Sequence, residues 1–329
     1  MVQLRIVAPR DLAEQALGLL EASPAACNLV HLPGAARKPD GDVVLCDVAR
    51  REVSLLIEDL CELGIDHKNS IAIQHIETEI SDSARAAEDA AKPMPFGDAV
   101  VWEQVEARTS EDASLSINFV EFMMIAALIA GVGILLDSPI LIVGAMVVGP
   151  EFGPIAGFCV ATVEGRLDLA KRSALALAVG IAAAIAATLV WSLVFKWTGL
   201  DSDGPGDAHP LTEFIADPDF FSAFVAYLAG TAGVLSLTST KSGALIGVLI
   251  SVTTIPAIAN IGVATAYGDW GEVAGAAEQL SVNIVALFLG GIARLYVQRR
   301  VYMLRLRRHM RTPAREAAGL PSDETTAPV

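Results

Sequence analysis

From Pro139 to Gly165 the chain reads PILIVGAMVVGPEFGPIAGFCVATVEG, a stretch that is apolar at both ends and broken at its middle. A helix that crosses a bilayer needs about 20 mainly apolar residues, and this segment is long enough. Yet Gly149, Pro150, Glu151, Gly153 and Pro154 stand at its centre. Proline removes a backbone donor and clashes with the preceding turn, glycine is costly inside a helix, and a carboxylate at bilayer depth is expensive enough to mark a functional site. The segment is therefore expected to be an unwound span whose freed backbone groups are satisfied by protein or water and not by lipid. Half-helix ends that meet near the midplane are how many transporters build a binding site.

The pattern returns later in the chain. Shifting the sequence by 103 positions, without a gap, pairs Gly144 with Gly247, Ile155 with Ile258, Ala156 with Ala259, Val160-Ala161-Thr162 with Val263-Ala264-Thr265, and Gly165 with Gly268. In this register Gly153 and Pro154 face Pro256 and Ala257, and Glu151 faces Thr254. Two interrupted hydrophobic segments in matching positions of an internal repeat point to a transport site.

A hydrophobic share of 53% and a mean hydropathy of +0.52 place the chain in the membrane class. Charged residues crowd before Asn118 and after Arg294 and are sparse between them. The expected organisation is an α+β ferredoxin-like cytoplasmic domain over 1–78, a linker over 79–117, a six-span α-helical membrane domain over 118–298 and a basic cytoplasmic tail over 299–329. The first residues, MVQLRIVAPRDLAEQ, lack the features of a secretory signal, so the first domain is expected in the cytoplasm. Cys27, Cys46, Cys61 and Cys159 show no C-x-x-C spacing, and His31, His67, His75, His209 and His309 are as dispersed. Buried free thiols and surface histidines are the reading, with no metal site and no cofactor. The net charge of −15 comes mostly from the soluble parts and carries no nucleic-acid signal.

Within the first domain, apolar runs at Leu4–Ala8, Ala26–Leu32, Asp42–Val48 and Ser70–Ile76 read as strands. Arg10–Glu21, with Leu12, Ala16, Leu19 and Leu20 inward, and Arg50–Leu63, with Val53, Leu56, Ile57 and Leu60 inward, read as helices. The resulting order is the split βαβ arrangement, whose fold names no ligand. A docking or oligomerisation role, giving a homo-oligomer, stands beside a sensor role. From Glu77 to Ser116 the composition is that of a linker, with Phe96–Val105 undecided between a short strand and an amphipathic segment.

Six spans are drawn at Phe119–Leu136, Pro139–Val163, Ser173–Val194, Phe220–Leu237, Gly243–Ala266 and Leu280–Val297. Arg166, Lys171, Arg172, Lys241 and the arginines after span six mark one side. Asp137-Ser138, the acidic loop from Asp201 to Asp219, and Gly268 to Glu278 mark the other. By the positive-inside rule both termini are cytoplasmic in a multi-pass inner-membrane protein. Three spans per half place the two halves upside down relative to each other, an inverted-topology repeat.

The run LSINFVEFMMIAALIAGVGILLDSPILIVGAMVVGPEFGPIAGF resembles the signature of the membrane family catalogued as domain of unknown function 389. Its GAM-x-x-x-P-x-x-GP pattern is matched by Gly144, Ala145, Met146, Pro150, Gly153 and Pro154. The later GVLISVTTIPAIANIGVATAYGD is similar to the family's second motif, although that motif usually ends in a proline pair where this chain has Pro256-Ala257. The resemblance covers about Leu115 to Ala293 and implies a fold and a membrane location, not a reaction.

The candidate path residues are Gly149, Pro150, Glu151, Gly153, Pro154, Thr253, Thr254, Pro256 and Asn260. Glu151 either binds a cation or proton, or caps the half-helix that follows it. Thr253, Thr254 and Asn260 either complete an oxygen-lined site, or bond to the preceding turn and pack between helices. Glu121 is read as reaching the interface and Asn283 as a packing contact. Gly144, Gly157, Gly247 and Gly262 are read as points of close helix approach, and Trp191, Trp197 and Trp270 as interface anchors. The tail from Arg294 to Arg315, with interleaved Tyr296, Val301, Tyr302, Leu304 and Leu306, reads as an anchor on anionic lipid heads, not as a nucleic-acid site.

The leading expectation is a transporter or channel-like permease for a small solute or ion in the lipid bilayer. The competing one is a membrane-embedded sensor whose head binds a ligand or partner. No H-E-x-x-H, no G-x-S-x-G and no paired membrane carboxylates occur, so no enzyme is expected.

Overall fold

The computed structural model describes residues 1–65, 69–76, 78–91, 102, 105, 109, 113–198, 215, 219–238, 253–310, 312, 315 and 319–320. The chain divides into two compact units, Met1–Val105 with Gln298–Val329, and Glu106–Val297.

In the first unit the order is β1 (Val2–Ala8), α1 (Arg10–Ala22), β2 (Ala26–Arg37), β3 (Asp40–Val48), α2 (Val53–Glu62) and β4 (Ser70–His75). The strands form an antiparallel sheet in the order β2-β3-β1-β4, and the element order is that of the split βαβ arrangement. Alternation along β1 and β3 sends Val2, Leu4, Ile6, Val44, Cys46 and Val48 to one face, against Ala13, Ala16, Leu19 and Leu20 of α1. The four inward residues expected of α2, Val53, Leu56, Ile57 and Leu60, are all in this core. Leu12 is only partly buried, and Ala13 takes its place on the inner face of α1.

Two features differ from the sequence reading. Strand β2 runs on past Leu32, because pairing resumes at Ala36↔Gly41 after a register shift that accommodates Pro33 and Gly34. The stretch read as linker holds a helix, α3 (Asp82–Ala90), which is capped by Ser81 accepting from the Ala84 amide and buries Ala84 and Ala87. The undecided segment Phe96–Val105 lies outside the described residues except Trp102 and Val105.

In the C-terminal part of this unit, read as a basic tail on anionic lipid heads, three basic residues pair with α2. Arg305 pairs with Glu52 at 2.6 Å, His309 is hydrogen-bonded to Asp59 at 2.7 Å, and Arg315 pairs with Asp59 and Glu62. Asp59 and Arg315 are fully buried, and Leu320 joins the core of the sheet. The cause is the acidity of α2. Burial pushes the Glu58 carboxyl up, with Glu62 and Asp59 adding to the shift and Arg315 opposing it. Cations arriving from the C-terminus relieve that crowding, and these three are thereby engaged by protein carboxylates, where a lipid surface had been expected. His309 is accordingly not a surface histidine.

Of the cysteines, Cys46 and Cys159 are buried, Cys27 is half-buried and Cys61 is exposed on α2, so burial holds for only part of the set. Desolvation pushes the Cys46 thiol up to about 12, which keeps it a neutral packing group.

The second unit is helical: α4 (Ile117–Leu135), α5 (Pro139–Val148), α6 (Phe152–Glu164), α7 (Leu167–Thr198), α8 (Phe220–Thr238) and α9 (Thr254–Tyr267). It is completed by the first part of α10 (Trp270–His309). Helices α4, α7, α8 and α10 are each long and apolar enough to cross a membrane, and α5 with α6, bent by 52°, passes the same test as a pair, as a broken span or a re-entrant loop does. Several apolar helices of this kind are compatible with a multi-pass membrane protein. The fifth span drawn, Gly243–Ala266, lies outside the described residues before Thr253, as do Gly247, Lys241 and most of the Asp201–Asp219 loop.

The bend follows from local chemistry. Proline disfavours the helical region for the residue before it, and Gly149 ends α5 in an extended conformation, with φ −64° and ψ 129°. Pro154 is the third residue of α6 and Pro256 the third of α9, where a helix has no intrahelical acceptor for an amide hydrogen. Each proline is therefore compatible with a fresh helix start.

Helices α6 and α9 are the most enclosed helices of this unit. Phe152, Pro154–Gly157 and Cys159–Ala161 of α6 are buried, as are Thr254–Asn260 and Gly262–Ala264 of α9. Around them, large apolar side chains such as Ile117, Phe122, Ile140, Leu175, Val190, Phe220 and Val285 face outward. Small residues allow this enclosure: a methyl on Gly262 would collide with Thr188 and the Ile185 carbonyl, and one on Gly157 would meet Ala113 and Ser173. Gly144, expected to serve in the same way, has no neighbour there among the described residues.

Candidate functional site

The break between α5 and α6 brings Glu151 to the start of α6, and Thr254 opens α9. The two meet: the Thr254 hydroxyl donates to Glu151 Oε1 at 2.7 Å, across 103 positions of sequence. Both residues are buried. Of the alternatives for Glu151, capping is not what is seen, since its side chain makes no cap hydrogen bond to α6. Its Oε2 meets no hydrogen-bond partner among the described residues and lies against Gly149, where an added methyl would collide with it and with Ile255. Gly149 is thus required by close approach.

Thr253, the residue before, accepts hydrogen bonds from Gln279 Nε2 at 3.2 Å and from Asn283 Nδ2 at 2.9 Å. Gln279 Nε2 also approaches Asn283 Oδ1 at 3.5 Å. Gln279 and Asn283 are four residues apart on one face of α10, and both are 1% exposed. Neighbouring residues Thr253 and Thr254 therefore join two polar groups, Glu151 on one side and the Gln279–Asn283 pair on the other.

The remaining expected path residues take structural places. Gly153 donates its amide to the Pro150 carbonyl at 3.3 Å, closing the turn between the half-helices, and Pro154 and Pro256 open α6 and α9. Asn260 is not brought to Glu151: its Nδ2 donates to Glu272 in the first turn of α10, at 2.7 Å. Gln279 was not singled out from sequence, and Asn283 was read only as a packing contact. The available signal was their spacing of four, which puts two amides on one stripe of an apolar span.

The far ends of α6 and α9 are closed alike. Gly165 and Gly268 both take left-handed conformations, with φ 75° and 82°. Lys196, in the last turn of α7, donates to the Ala266 carbonyl at 3.2 Å and lies over the Tyr267 ring, neutralising the C-terminal end of α9.

Comparison with known proteins returns a relative without an assigned role, the uncharacterized protein MJ0678 of Methanocaldococcus jannaschii. It is 25% identical over 193 residues, which cover 59% of this chain and 58% of the relative. The chain thus spans less than two thirds of that protein's length. The family model described as Domain of unknown function (DUF389) matches residues 146–289, a segment that holds the break at Gly149–Glu151, all of α9 and the Gln279–Asn283 pair, and it bears out the resemblance read from the two motifs.

Proposed function

We propose that the membrane unit is a permease for a small solute or ion, built from two inverted three-span halves, with the paired breaks as its alternating gate. The observation that carries this reading is the hydrogen bond between Glu151 and Thr254, residues that occupy one position in the two halves of the 103-residue register. Side chains at equivalent positions meet where a two-fold axis passes between the halves. Element bounds support the same register: α4 and α8 are both 19 residues long and start 103 positions apart, as do α7 and α10. The left-handed closures at Gly165 and Gly268 keep that interval too.

In this reading segment two runs inward and its counterpart outward, both termini are cytoplasmic, and the surrounding helices keep lipid from the broken backbone. The function is carriage, not catalysis. The test is flux into proteoliposomes across a panel of ions and small metabolites, wild type against Glu151→Gln. Movement of one panel member that the substitution lowers at least tenfold is the expected result. If no panel member moves, the sensor reading replaces this one.

A further inference from the structure

We infer that the cluster of Glu151, Thr253, Thr254, Gln279 and Asn283 binds one monovalent cation, an alkali ion or a proton, and not an anion. The physiological meaning of the inference rests on the permease reading, whereas the binding it asserts is measurable without transport.

The first argument is a count of donors and acceptors. The Thr254 hydroxyl is spent on Glu151, and the Gln279 and Asn283 amide groups each donate to Thr253. Two oxygens of this cluster are left over, Glu151 Oε2 and Gln279 Oε1, in side chains more than nine-tenths buried. Buried polar atoms in folded proteins are almost always satisfied, so surplus acceptors call for a positive or proton-bearing ligand. The amide orientation matters here, because turning Gln279 would exchange its oxygen and nitrogen. That turn would set the Gln279 oxygen against Asn283 Oδ1, which now faces Gln279 Nε2 at 3.5 Å.

The second argument concerns the helix starts, which by their dipoles favour an anion. Their free donors are reduced in number. In the first turn of α6, the Gly153 amide goes to the Pro150 carbonyl and Pro154 has none. In α9, Pro256 has none.

The third argument is charge. No group of three His, Cys, Asp or Glu side chains placed to hold a metal occurs among the described residues, so Glu151 supplies one negative charge beside neutral oxygens. Divalent ions such as Ca²⁺ draw on several carboxylates; one carboxylate balances one positive charge. Other titratable groups on the packed elements lie elsewhere. Glu272 bonds Asn260, Cys159 lies against Gly291, Tyr267 sits under Lys196, and Glu121 and Glu278 face outward.

The test uses the full chain in detergent, titrated with lithium, sodium, potassium or choline chloride and with sodium gluconate, while thermal stability is followed. For an alkali ion, one chloride salt stabilises saturably, gluconate serves as well as chloride, choline does nothing, and Glu151→Gln weakens the apparent affinity by about tenfold or more. For a proton, the alkali salts are inert, and between about pH 5.5 and about pH 9 the folded wild type releases one more proton per chain than Glu151→Gln. Gln279→Leu keeps the carboxylate and is the second variant should Glu151→Gln not fold; it is expected to weaken the same signal. Stabilisation by choline chloride that survives both substitutions overturns the inference, and so does a chain indifferent to every salt with no difference in proton release. Cation binding without any flux in proteoliposomes leaves this inference standing and removes the permease reading.

Discussion

Replacing Thr254 with valine keeps the shape of the side chain and removes the hydroxyl that Glu151 Oε1 accepts from at 2.7 Å. Thr254 is 2% exposed and Glu151 4%, so water does not take the hydroxyl's place without opening the bundle. The loss of a hydrogen bond to a buried carboxyl costs about 1–3 kcal/mol. For a unit the size of Glu106–Val297, each kcal/mol moves the midpoint by roughly 2–4 °C. A fall of about 3–10 °C is therefore expected for Thr254→Val in one detergent at one scan rate, whereas Thr254→Ser, which keeps the donor, falls by roughly 2 °C or less. The double variant with Glu151→Met removes both partners. Exchanging both ends of a buried hydrogen bond for apolar groups is far less costly than stranding one, so the double variant is expected to melt above Thr254→Val alone, with a coupling of about 1–2 kcal/mol. Equal melting of the valine and serine variants, or strict additivity in the cycle, refutes the claim that these side chains hold the two half-helices together.

Three further outcomes follow. Arg315→Met leaves the fully buried Asp59 without its guanidinium, which costs about 3–5 kcal/mol, and hydrogen exchange across Val53–Glu62 is expected to rise accordingly; unchanged protection would mean that the C-terminal segment does not pack there. A maleimide at about pH 7.5 should label Cys61 quickly and leave Cys46 and Cys159 unlabelled until the chain is denatured, a pattern that peptide mapping reads directly. The Gly34 amide and His31 hold the Asp42 carboxyl below its usual range. A lowered folded value adds stability above the unfolded value of about 3.9 that is lost as pH falls through the folded one. Exchange protection of the β2–β3 hairpin should therefore drop between about pH 5 and about pH 2, and less so in Asp42→Asn.

Periodicity exposed the first unit well, because one buried face writes itself into the spacing of residues such as Val53, Leu56, Ile57 and Leu60. What it concealed was set by partners distant in sequence. Strand β2 continues beyond Pro33-Gly34 only because β3 is there to pair with Ala36 and Arg37. Helix α3 has no apolar stripe beyond two alanines, and its cap at Ser81 was the one local cue. Polar residues at 168, 171 and 172 suggested that a span begins at Ser173, yet α7 starts at Leu167, since charge ends a membrane span but not a helix. In the candidate site, the register that set Glu151 opposite Thr254 was legible from the two apolar motifs. Gln279 was not, because a single amide within an apolar span reads as ordinary until its burial is known.

Helix α6 has only 13 residues, a rise of about 20 Å against roughly 30 Å of hydrocarbon. Alone it would neither reach both faces of a bilayer nor shield its own first turn, so it cannot partition as an independent unit during biosynthesis. It must enter the membrane together with α5 and become sheathed only when later helices emerge, which makes the order of synthesis part of how this protein attains its structure.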